Sequence, residues 1–364
     1  MNVLHILYFA GKSGSEKYVY TLIKQEKLRG IECAFVYDKE GPLCEMICQL
    51  GVPVYRLPMR NIFDLRASKR LAKLCEQHHI DVIHTHFPRE NCIAILACLW
   101  RKGMKVVNTS HLFFETGFIW RNINRIFSKY NSKVICVCHQ QVEQRIRNGV
   151  NREKICVIHN GVPPAESDGL RDIRRKKIRE EFGIRENTPL FCAFARFEKV
   201  KGIDILLNAA AELQKKVPDA KILIAGDGSL FEDMKQLRHK LQLDDMVIMA
   251  GYRKDSHDIL AASDVYVSSS RSEALSFAII EAMSTGLPVI ISDAGGNPDI
   301  LENSQGGLIF QSGDHLALAQ HMETLAKNKE LRSEMSRHAQ RRVADEFSEE
   351  KMVESTIAVY HSGM

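Results

Sequence analysis

Two glutamates separated by seven residues are the most informative chemistry-bearing side chains in the sequence. Glu273 lies in a predicted loop and Glu281 in the helix that follows, and eight positions correspond to just over two helical turns. That helix should begin at Leu275, Ser276 and Phe277, where backbone N–H groups without partners inside the helix bind anions. Carboxylates accept hydrogen bonds from hydroxyl groups. An anion site flanked by two carboxylates therefore suits a sugar nucleotide, with the pyrophosphate on the amides and the hydroxyls on the glutamates.

Paired carboxylates could also hydrolyse a glycosidic bond, because their separation allows acid and base or acid and nucleophile roles. Glu281, however, is predicted inside a helix rather than in a loop that lines a cleft. A hydrolase is therefore a poor fit to this pair.

Two cations form the next candidate group. Arg196 and Lys201 flank the end of a predicted strand, directly before a helix. A guanidinium offers a planar fork of donors and an ammonium offers a point charge, and both bind phosphates. Two such cations beside a helix start could neutralise a leaving diphosphate. The alternative is a pair of ordinary surface cations in contact with water.

A glycine-rich turn follows the first predicted strand and opens a helix. It runs over residues 11–15 and contains Gly11 and Gly14. A P-loop would need glycine at position 6, which is Ile6, so that interpretation fails. A ligand-binding loop and a plain strand-to-helix connection remain as alternatives.

Three histidines lie at predicted strand ends. His84 and His86 are two residues apart and share one face of a strand, whereas His111 follows the strand that ends at Ser110. The first two could bind a metal, but no further cluster of Cys, His, Asp or Glu completes a coordination shell. We therefore predict no metal site.

The elements that must position these residues alternate between short apolar runs and longer amphipathic ones. This alternation predicts an α/β fold with parallel sheets covered by helices on both faces. The predicted strands are Val3–Phe9, Cys33–Tyr37, Val52–Leu57, Asp81–His84, Lys105–Thr109 and Lys133–Val137, followed by Leu190–Ala195, Lys221–Ala225, Met246–Met249, Val265–Ser268 and Val289–Ser292.

The pattern breaks at residues 160–169, the strongest cluster of proline, glycine and polar residues in the chain. We predict two domains, 1–163 and 164–348, with a C-terminal helix at about 349–364 that could pack back on the first; 364 residues suit roughly two domains. The charge changes sign near the same point, since residues 1–165 carry 24 Lys and Arg against 13 Asp and Glu, and the remainder 26 against 32. A basic first half attracts anions.

The composition, with 45% hydrophobic and 26% charged residues, is that of an ordinary globular chain. Ten scattered cysteines without a C-x-x-C pair fit a reducing cytoplasm. The N-terminus lacks the features of a signal peptide, and the longest later apolar run, 92–100, is far shorter than the roughly 20 residues that span a bilayer. Any membrane association is therefore predicted to be peripheral.

Residues 112–130 mix aromatic side chains with cations. As a helix this segment would set an apolar group against a basic one, namely Trp120, Ile123, Ile126 and Phe127 against Arg121, Arg125 and Lys129. Such a helix suits an anionic membrane surface that carries a lipid-phosphate acceptor. A core helix with a solvated face is the alternative.

Together these motifs resemble the retaining GT-B glycosyltransferases, and most closely the large glycosyltransferase family 4. The donor-binding signature is Glu273-x7-Glu281, followed by Gly286-Leu287-Pro288-Val289 and by Gly295-Gly296-Asn297-Pro298-Asp299. The resemblance covers nearly the whole chain, and its further segments are the N-terminal glycine loop, Asp81–His86, Asn160–Val162, Arg196 with Lys201-Gly202, and Gly226-Asp227-Gly228. Each segment is modest alone, but the set in this order is highly specific.

The resemblance implies a GT-B fold, in which two Rossmann-like β/α/β domains face each other across a deep cleft. It implies an acceptor-binding first domain and a donor-binding second domain. Arg196 and Lys201 would stabilise the departing nucleoside diphosphate, an electrostatic contribution of several kcal/mol. Glu273 would contact hydroxyls of the donor sugar, and Glu281 would contact the ribose.

The resemblance also places His111 near the reacting sugar and the acceptor. It places Gly11, Gly14 and Gly226 in loops that bind the donor. No Asp-x-Asp pair occurs in the sequence, which argues against the metal-dependent GT-A design. The implied mechanism therefore relies on stabilising the leaving group without a metal.

We therefore expect a retaining, metal-independent hexosyltransferase that needs no cofactor and uses a UDP- or GDP-sugar as co-substrate. Its acceptor would be a glycan or lipid-linked sugar in cell-surface polysaccharide or lipopolysaccharide synthesis, in the cytoplasm or on the inner face of the membrane. The alternatives are a sugar synthase or phosphorylase with a soluble acceptor, and a non-catalytic nucleotide-sugar-binding subunit. Nucleic-acid binding is disfavoured because the basic residues are spread over α/β elements without a recognition motif.

Overall fold

The computed structural model describes residues 1–113, 115–164, 168–301 and 305–362. The chain divides into two compact units. The first comprises Met1–Gly161 together with Glu349–Met364, and the second comprises Val162–Ser348. The division after Gly161 lies two residues before the boundary expected from the sequence.

The first unit contains a sheet of seven parallel strands in the order β3-β2-β1-β4-β5-β6-β7. Its strands are β1 (Asn2–Phe9), β2 (Glu32–Lys39), β3 (Val54–Arg56), β4 (Val82–Thr85), β5 (Lys105–Ser110), β6 (Lys133–Cys136) and β7 (Ile155–Val157). Its helices are α1 (Gly14–Leu28), α2 (Pro42–Gln49), α3 (Leu65–Gln77), α4 (Pro88–Ala97), α5 (Phe118–Phe127), α6 (His139–Arg147) and, from the end of the chain, α15 (Glu349–His361).

The second unit contains a sheet of six parallel strands in the order β10-β9-β8-β11-β12-β13. Its strands are β8 (Leu190–Phe194), β9 (Lys221–Ala225), β10 (Val247–Gly251), β11 (Val265–Ser268), β12 (Val289–Ser292) and β13 (Gly307–Phe310). Its helices are α7 (Asp168–Glu181), α8 (Ile203–Gln214), α9 (Phe231–Lys240), α10 (Ser256–Ala262), α11 (Phe277–Ser284), α12 (Asn297–Leu301), α13 (His315–Lys327) and α14 (Lys329–Glu346).

The expected α/β class is confirmed, because both sheets are wholly parallel and their central strands are buried on both faces, as apolar runs in such sheets require. The sequence patterns do not predict β7 or β13. Each is a short edge strand of three or four residues, and the edge position leaves it only partly buried, which weakens the apolar signal.

Each sheet has one point at which the strand order reverses. It lies between β1 and β4 in the first sheet and between β8 and β11 in the second. In doubly wound sheets of this kind, ligands bind beyond the carboxyl ends of the strands at that point. Functional residues are therefore expected at the two carboxyl edges.

No helix in the described ranges is long and apolar enough to cross a membrane. All ten cysteines are free thiols, and most of them are buried. Within the first unit, α15 packs against α1 and so ties the end of the chain to its beginning.

Candidate functional site

An ion pair lies at the carboxyl edge of the second sheet. The Lys201 Nζ atom is 2.5 Å from Glu273 Oε1, and both side chains are largely buried. Ser270 donates a second hydrogen bond to the same carboxylate oxygen at 2.7 Å. The structure thus brings together two of the residues expected to be catalytic, a cation and a carboxylate, at the point where the strand order reverses.

The loop after β11 is held by hydrogen bonds with neighbouring segments as well as by the Ser270–Glu273 bond within the loop. The Gly296 N–H donates to the Glu273 carbonyl oxygen at 3.2 Å. The Ser292 hydroxyl, at the end of β12, donates to the Ser270 carbonyl oxygen at 2.6 Å. These bonds position the Glu273 carboxylate from the adjacent strand, so the Gly295-Gly296 turn is part of the site.

Lys201 is positioned by a close approach of two backbones. Gly202 has φ of +64°, and a Cβ there would lie 2.1 Å from the Ser269 carbonyl oxygen, so no other residue fits without a shift. Ser269 in turn donates to the Gly202 carbonyl oxygen at 2.8 Å. The glycine after Lys201 therefore lets the segment before α8 lie directly against the end of β11.

A second ion pair clamps the same two segments from the solvent side. The Arg271 guanidinium donates to both carboxylate oxygens of Asp204, at 2.7 and 2.6 Å, and to the Lys199 carbonyl oxygen at 3.0 Å. The Arg271 N–H also donates to the Val200 carbonyl oxygen at 2.7 Å. Arg271 lowers the pKa of Asp204 through this side-chain hydrogen bond.

Arg196 lies in the same connection between β8 and α8. Its side chain is exposed and forms no hydrogen bond or ion pair with the described residues. Gly226 packs beside it, because a Cβ there would lie 1.8 Å from the Ala195 carbonyl oxygen and its φ is +147°. This packing gives Gly226 a structural role, and its contact with a donor remains a prediction.

The helix predicted after the loop is α11, which begins at Phe277 with Ser276 as its N-cap residue. Leu275 is buried beneath this start, while Ser276 and Phe277 are half-buried. The first N–H groups of a helix point out of its N-terminus and favour anions. Glu281 lies further along α11 and is half-buried.

The carboxyl edge of the first sheet carries a cluster of histidines. His5 and His84 are register partners on β1 and β4, His86 follows β4, and His111 follows β5. His86 Nδ1 lies 3.1 Å from His111 Nε2. Three of the rings are buried, and His111 is half-buried. The parallel register, which pairs His5 with His84 and sets β5 beside β4, brings these residues together.

The buried end of this cluster is tied to α1 and α15. Glu26 lies 2.8 Å from His5 Nε2 and accepts a hydrogen bond from the Tyr360 hydroxyl at 3.0 Å. The same hydroxyl lies 2.6 Å from His84 Nδ1, and Thr109 Oγ1 lies 2.7 Å from His84 Nε2. Because the hydroxyl proton of Tyr360 goes to the carboxylate, His84 Nδ1 must be the donor in its bond to Tyr360.

Burial favours the neutral form of three of these histidines by lowering their pKa. It lowers the pKa of His84 and His86 well below the ordinary value, and neighbouring imidazoles lower it further. Burial and then the Arg145 charge lower the pKa of His111 to about 3. Burial alone would raise the pKa of Glu26, but His5 and the hydrogen bonds to its carboxylate outweigh that effect and lower it.

A metal ion is a chemical possibility at this cluster, since His5, His84 and His86 each offer a nitrogen and the three atoms lie within 4.8 Å of one another. Both nitrogens of His84, however, are engaged by Tyr360 and Thr109. A third ligand would therefore require one of these buried hydrogen bonds to break. The donor set is better suited to a hydrogen-bonded network than to a metal site.

The glycine-rich turn lies at the same edge of the first sheet. Gly11 is buried, and a Cβ there would lie 2.6 Å from the Phe9 ring. Gly14 is exposed and begins α1, where the Ser13 N–H donates to the Glu16 carboxylate at 3.0 Å. The expected contact of Gly11 and Gly14 with a donor stays a prediction.

Sequence reasoning did not find several residues that hold the candidate site. Ser270, Ser292 and the Arg271–Asp204 pair are polar residues of a common type without a distinctive spacing. Glu26 and Tyr360 are 334 positions apart, so no local pattern connects them. From the sequence, His86 is expected only as a possible metal ligand. Its place two residues after His84 could also indicate a contact with the next strand end.

Two doubly wound sheets, with an ion pair at one switch point and a histidine cluster at the other, describe an α/β protein of two units. Two family models match the chain, "Glycosyltransferase Family 4" over residues 12–166 and "Glycosyl transferases group 1" over residues 174–342. The chain belongs to the GT-B glycosyltransferases of this family, and the expected family and fold are confirmed.

The most informative relatives are bacterial glycosyltransferases. The UDP-Gal:alpha-D-GlcNAc-diphosphoundecaprenol alpha-1,3-galactosyltransferase of Escherichia coli is 28% identical over 346 residues, 89% of this chain and 87% of that protein. The N-acetyl-alpha-D-glucosaminyl L-malate synthase of Bacillus anthracis is 25% identical over 305 residues, 82% and 79% of the two chains. The crystal structure of Anabaena HepE with UDP has a TM-score of 0.87 at 19% identity over 100% of both chains.

Proposed function

We propose that the chain transfers a hexose from a UDP- or GDP-sugar to a glycan or lipid-linked acceptor, with retention of anomeric configuration and without a metal ion. The second unit would bind the donor and the first unit the acceptor. The Lys201–Glu273 pair beside the start of α11 carries this proposal, because it sets a cation, a carboxylate and a helix N-terminus at the ligand-binding edge of one sheet.

The proposed chemistry assigns each group one task. Lys201 and Arg196 would stabilise the negative charge that develops on the departing nucleoside diphosphate, and the N-terminus of α11 would bind the pyrophosphate. Glu273 would accept hydrogen bonds from hydroxyls of the donor sugar, and Glu281 from the ribose. Glu273 is already bonded to Lys201 and Ser270, which suits an orienting role better than that of a nucleophile. Retention is proposed on the resemblance of the Glu273-x7-Glu281 signature.

The donor can be identified by thermal shift followed by turnover. We expect UDP or GDP to raise the unfolding temperature, since a ligand at 100 times its Kd stabilises a protein by about 2.7 kcal/mol. A panel of UDP-, GDP- and ADP-sugars is then assayed for nucleotide release in EDTA, with lipid-linked, soluble-sugar and phosphate acceptors side by side. The anomeric configuration of the product is read by NMR. Failure to bind or consume any nucleotide sugar contradicts the proposal, and preference for a free sugar or phosphate favours a synthase or phosphorylase.

We further propose that the acceptor is membrane-borne and that α5 contacts the bilayer. No residue of α5 is fully buried: Phe127 packs against the core of the first unit, whereas Phe118 and Ile119 are 78% and 74% exposed and leave apolar surface uncovered. Arg121 and Arg125 are exposed on the same helix. Apolar side chains next to arginines fit an anionic lipid surface. The lipid-linked substrate in the name of the Escherichia coli relative supports a membrane-borne acceptor for this chain.

Vesicle binding tests this second step. The chain should cosediment with vesicles that contain phosphatidylglycerol and bind much less to pure phosphatidylcholine, with affinity falling as salt rises. Ile119→Asp should abolish binding, while Leu316→Asp, at an apolar side chain of the second unit that is 59% exposed, should leave it intact. Equal loss in both variants, or no binding by the wild type, contradicts a membrane role for α5.

A further inference from the structure

His111 and His86 form the outer part of the histidine cluster, and their shared hydrogen bond limits which protons each ring can carry. His86 Nδ1 and His111 Nε2 are 3.1 Å apart, and the two rings are inclined by 27°. Both imidazoles are held neutral by burial. A neutral imidazole has one N–H and one lone pair, so only two arrangements of the two protons form this bond.

The buried side of His86 distinguishes the two arrangements. His86 Nε2 is buried and has no hydrogen-bond partner in the described part of the chain. If His111 donated to His86 Nδ1, the proton of His86 would lie on Nε2, as a buried N–H donor without an acceptor. If His86 Nδ1 donates, the atom left without a partner is a lone pair. Buried N–H groups without partners are the rarer and costlier case.

No described residue forms a hydrogen bond with His86 Nε2. Its ring packs between His5 and His84, at centroid distances of 5.8 and 4.5 Å, and against the edge of Tyr18. His84 is itself saturated by Tyr360 and Thr109. The His86 N–H is therefore best used toward His111.

The proton on His111 then has a defined place. With Nε2 accepting from His86, the N–H of His111 must be on Nδ1. That nitrogen makes no hydrogen bond with the described residues, and the side chain is half-buried at the edge of the sheet rather than enclosed. The Nδ1–H can therefore reach an oxygen of a bound substrate.

We propose that His86 is a positioning residue that donates its Nδ1–H to His111 Nε2 and thereby holds His111 as the Nδ1–H tautomer, which donates to a substrate oxygen. This inference rests on the proposed function only for what His111 contacts; the tautomer itself is independent of it. His111 then acts as a neutral hydrogen-bond donor and not as a protonated acid. Its orientation depends on a residue that need not touch substrate.

Two amide substitutions separate this role from simple packing. In His86→Asn the amide nitrogen can take the place of Nδ1 and donate to His111, whereas in His86→Gln the amide is displaced toward the position of Nε2. Both variants carry the same functional group. We expect His86→Asn to keep kcat within about threefold and His86→Gln to lower kcat by about ten- to a hundredfold, with the donor KM little changed, as expected when a donor is misplaced.

The tautomer is read directly by long-range proton–nitrogen NMR on protein labelled with ¹⁵N-histidine, with the His111 signals assigned by their loss in His111→Gln. The wild type and His86→Asn should show a protonated Nδ1 and an unprotonated Nε2, and His86→Gln a mixed or inverted pattern. A protonated Nε2 on His111 in the wild type overturns the inference, as do unchanged spectra and kcat in His86→Gln. If no nucleotide sugar is consumed, the proposed function fails while the spectra still decide the tautomer.

Discussion

The two carboxyl edges have the same strand topology and opposite chemistry. At the second sheet, Lys201 and Glu273 form an ion pair with part of each side chain open to solvent, and Arg196 is exposed beside them. At the first sheet, burial lowers the pKa of His84, His86 and His111, and all the clustered histidines but His111 are buried. One topology thus supports a partly exposed ion pair in one unit and a buried hydrogen-bonded network of histidines in the other.

The difference follows from what occupies the strand ends. In the second unit, β11 and β12 end in serines, and glycines lie in the adjacent loops. These small residues let the loops approach each other closely and present backbone groups and a few charges. In the first unit the strand ends carry histidines that pack against one another beneath α1 and α15. We infer that the candidate site of the second unit depends on charge and that of the first unit on hydrogen-bond direction.

The largest effect is expected from removing the charge at the second edge. Lys201→Ala should lower kcat by about 10²- to 10³-fold, because the cation that would stabilise the leaving diphosphate is lost from a partly buried position. Initial rates of nucleotide release measure this effect, and circular dichroism checks the fold. Lys199→Ala is the matched control, since that lysine is exposed two residues earlier. Equal rates of nucleotide release in the two variants would contradict a role of the Lys201–Glu273 pair in the reaction.

Acid should destabilise the first unit through its neutral histidines. Burial lowers the pKa of His84, His86 and His111, so below pH 6.5 the unfolded chain binds about three protons that the folded chain does not. Glu90 opposes this, because burial raises its pKa to about 7 from 4.5 and the folded form keeps a proton that the unfolded form releases. The net uptake of protons on unfolding predicts that the free energy of unfolding falls as the pH is lowered from 6.5 towards 4.5.

Urea unfolding across this pH range measures the slope, and hydrogen exchange shows which unit opens. Glu90→Gln removes the opposing proton and should steepen the slope. His86→Asn removes one titrating group and should make it shallower. A stability that does not change with pH in this window would mean that the histidines are not neutral in the folded chain.

The sequence indicates the charged residues of the second edge and the histidines His84, His86 and His111 of the first, but it does not indicate how those histidines contact one another. Glu273, Lys201 and the helix start at Ser276 lie near strand ends, and their spacing alone indicates a loop that binds an anion. The contact between His86 and His111 depends on the β4–β5 register, which no local pattern specifies. The Glu26–Tyr360 bond joins opposite ends of the chain.

The fold itself shows the same division between local and long-range information. The alternation of apolar runs predicts the central strands and the parallel class, because the spacing of apolar residues is a local property of the sequence. It does not predict edge strands as short as Ile155–Val157, whose apolar run is indistinguishable from a loop. For residues 112–130 the pattern predicts a helix but not which side chains it exposes: Phe127 packs against the core of the first unit, whereas Phe118 and Ile119 are exposed.

A smaller effect is expected at the buried anchor of the histidine cluster. Tyr360→Phe removes the hydrogen bond to the Glu26 carboxylate and the acceptor of His84 Nδ1, and should lower the free energy of unfolding by about 2 kcal/mol. Tyr130→Phe, at a tyrosine of the same unit that is 67% exposed, should change it little. Urea unfolding of both variants at neutral pH makes the comparison. Equal stabilities would mean that Tyr360 contributes packing alone.

The smallest effect is expected from breaking the exposed Arg271–Asp204 ion pair at the carboxyl edge of the second sheet. The Arg271 and Asp204 side chains are 35% and 40% exposed, so solvent screens their attraction and Asp204→Ala should cost only about 0.5 kcal/mol of stability. Their clamp nevertheless holds the segment that carries Lys201, so the donor KM should rise about threefold while kcat changes little. Glu323→Ala breaks a comparable exposed pair with Lys327 on α13 and should leave KM unchanged. An unchanged KM in Asp204→Ala would show that Gly202 and Ser269 hold Lys201 without help from the surface pair.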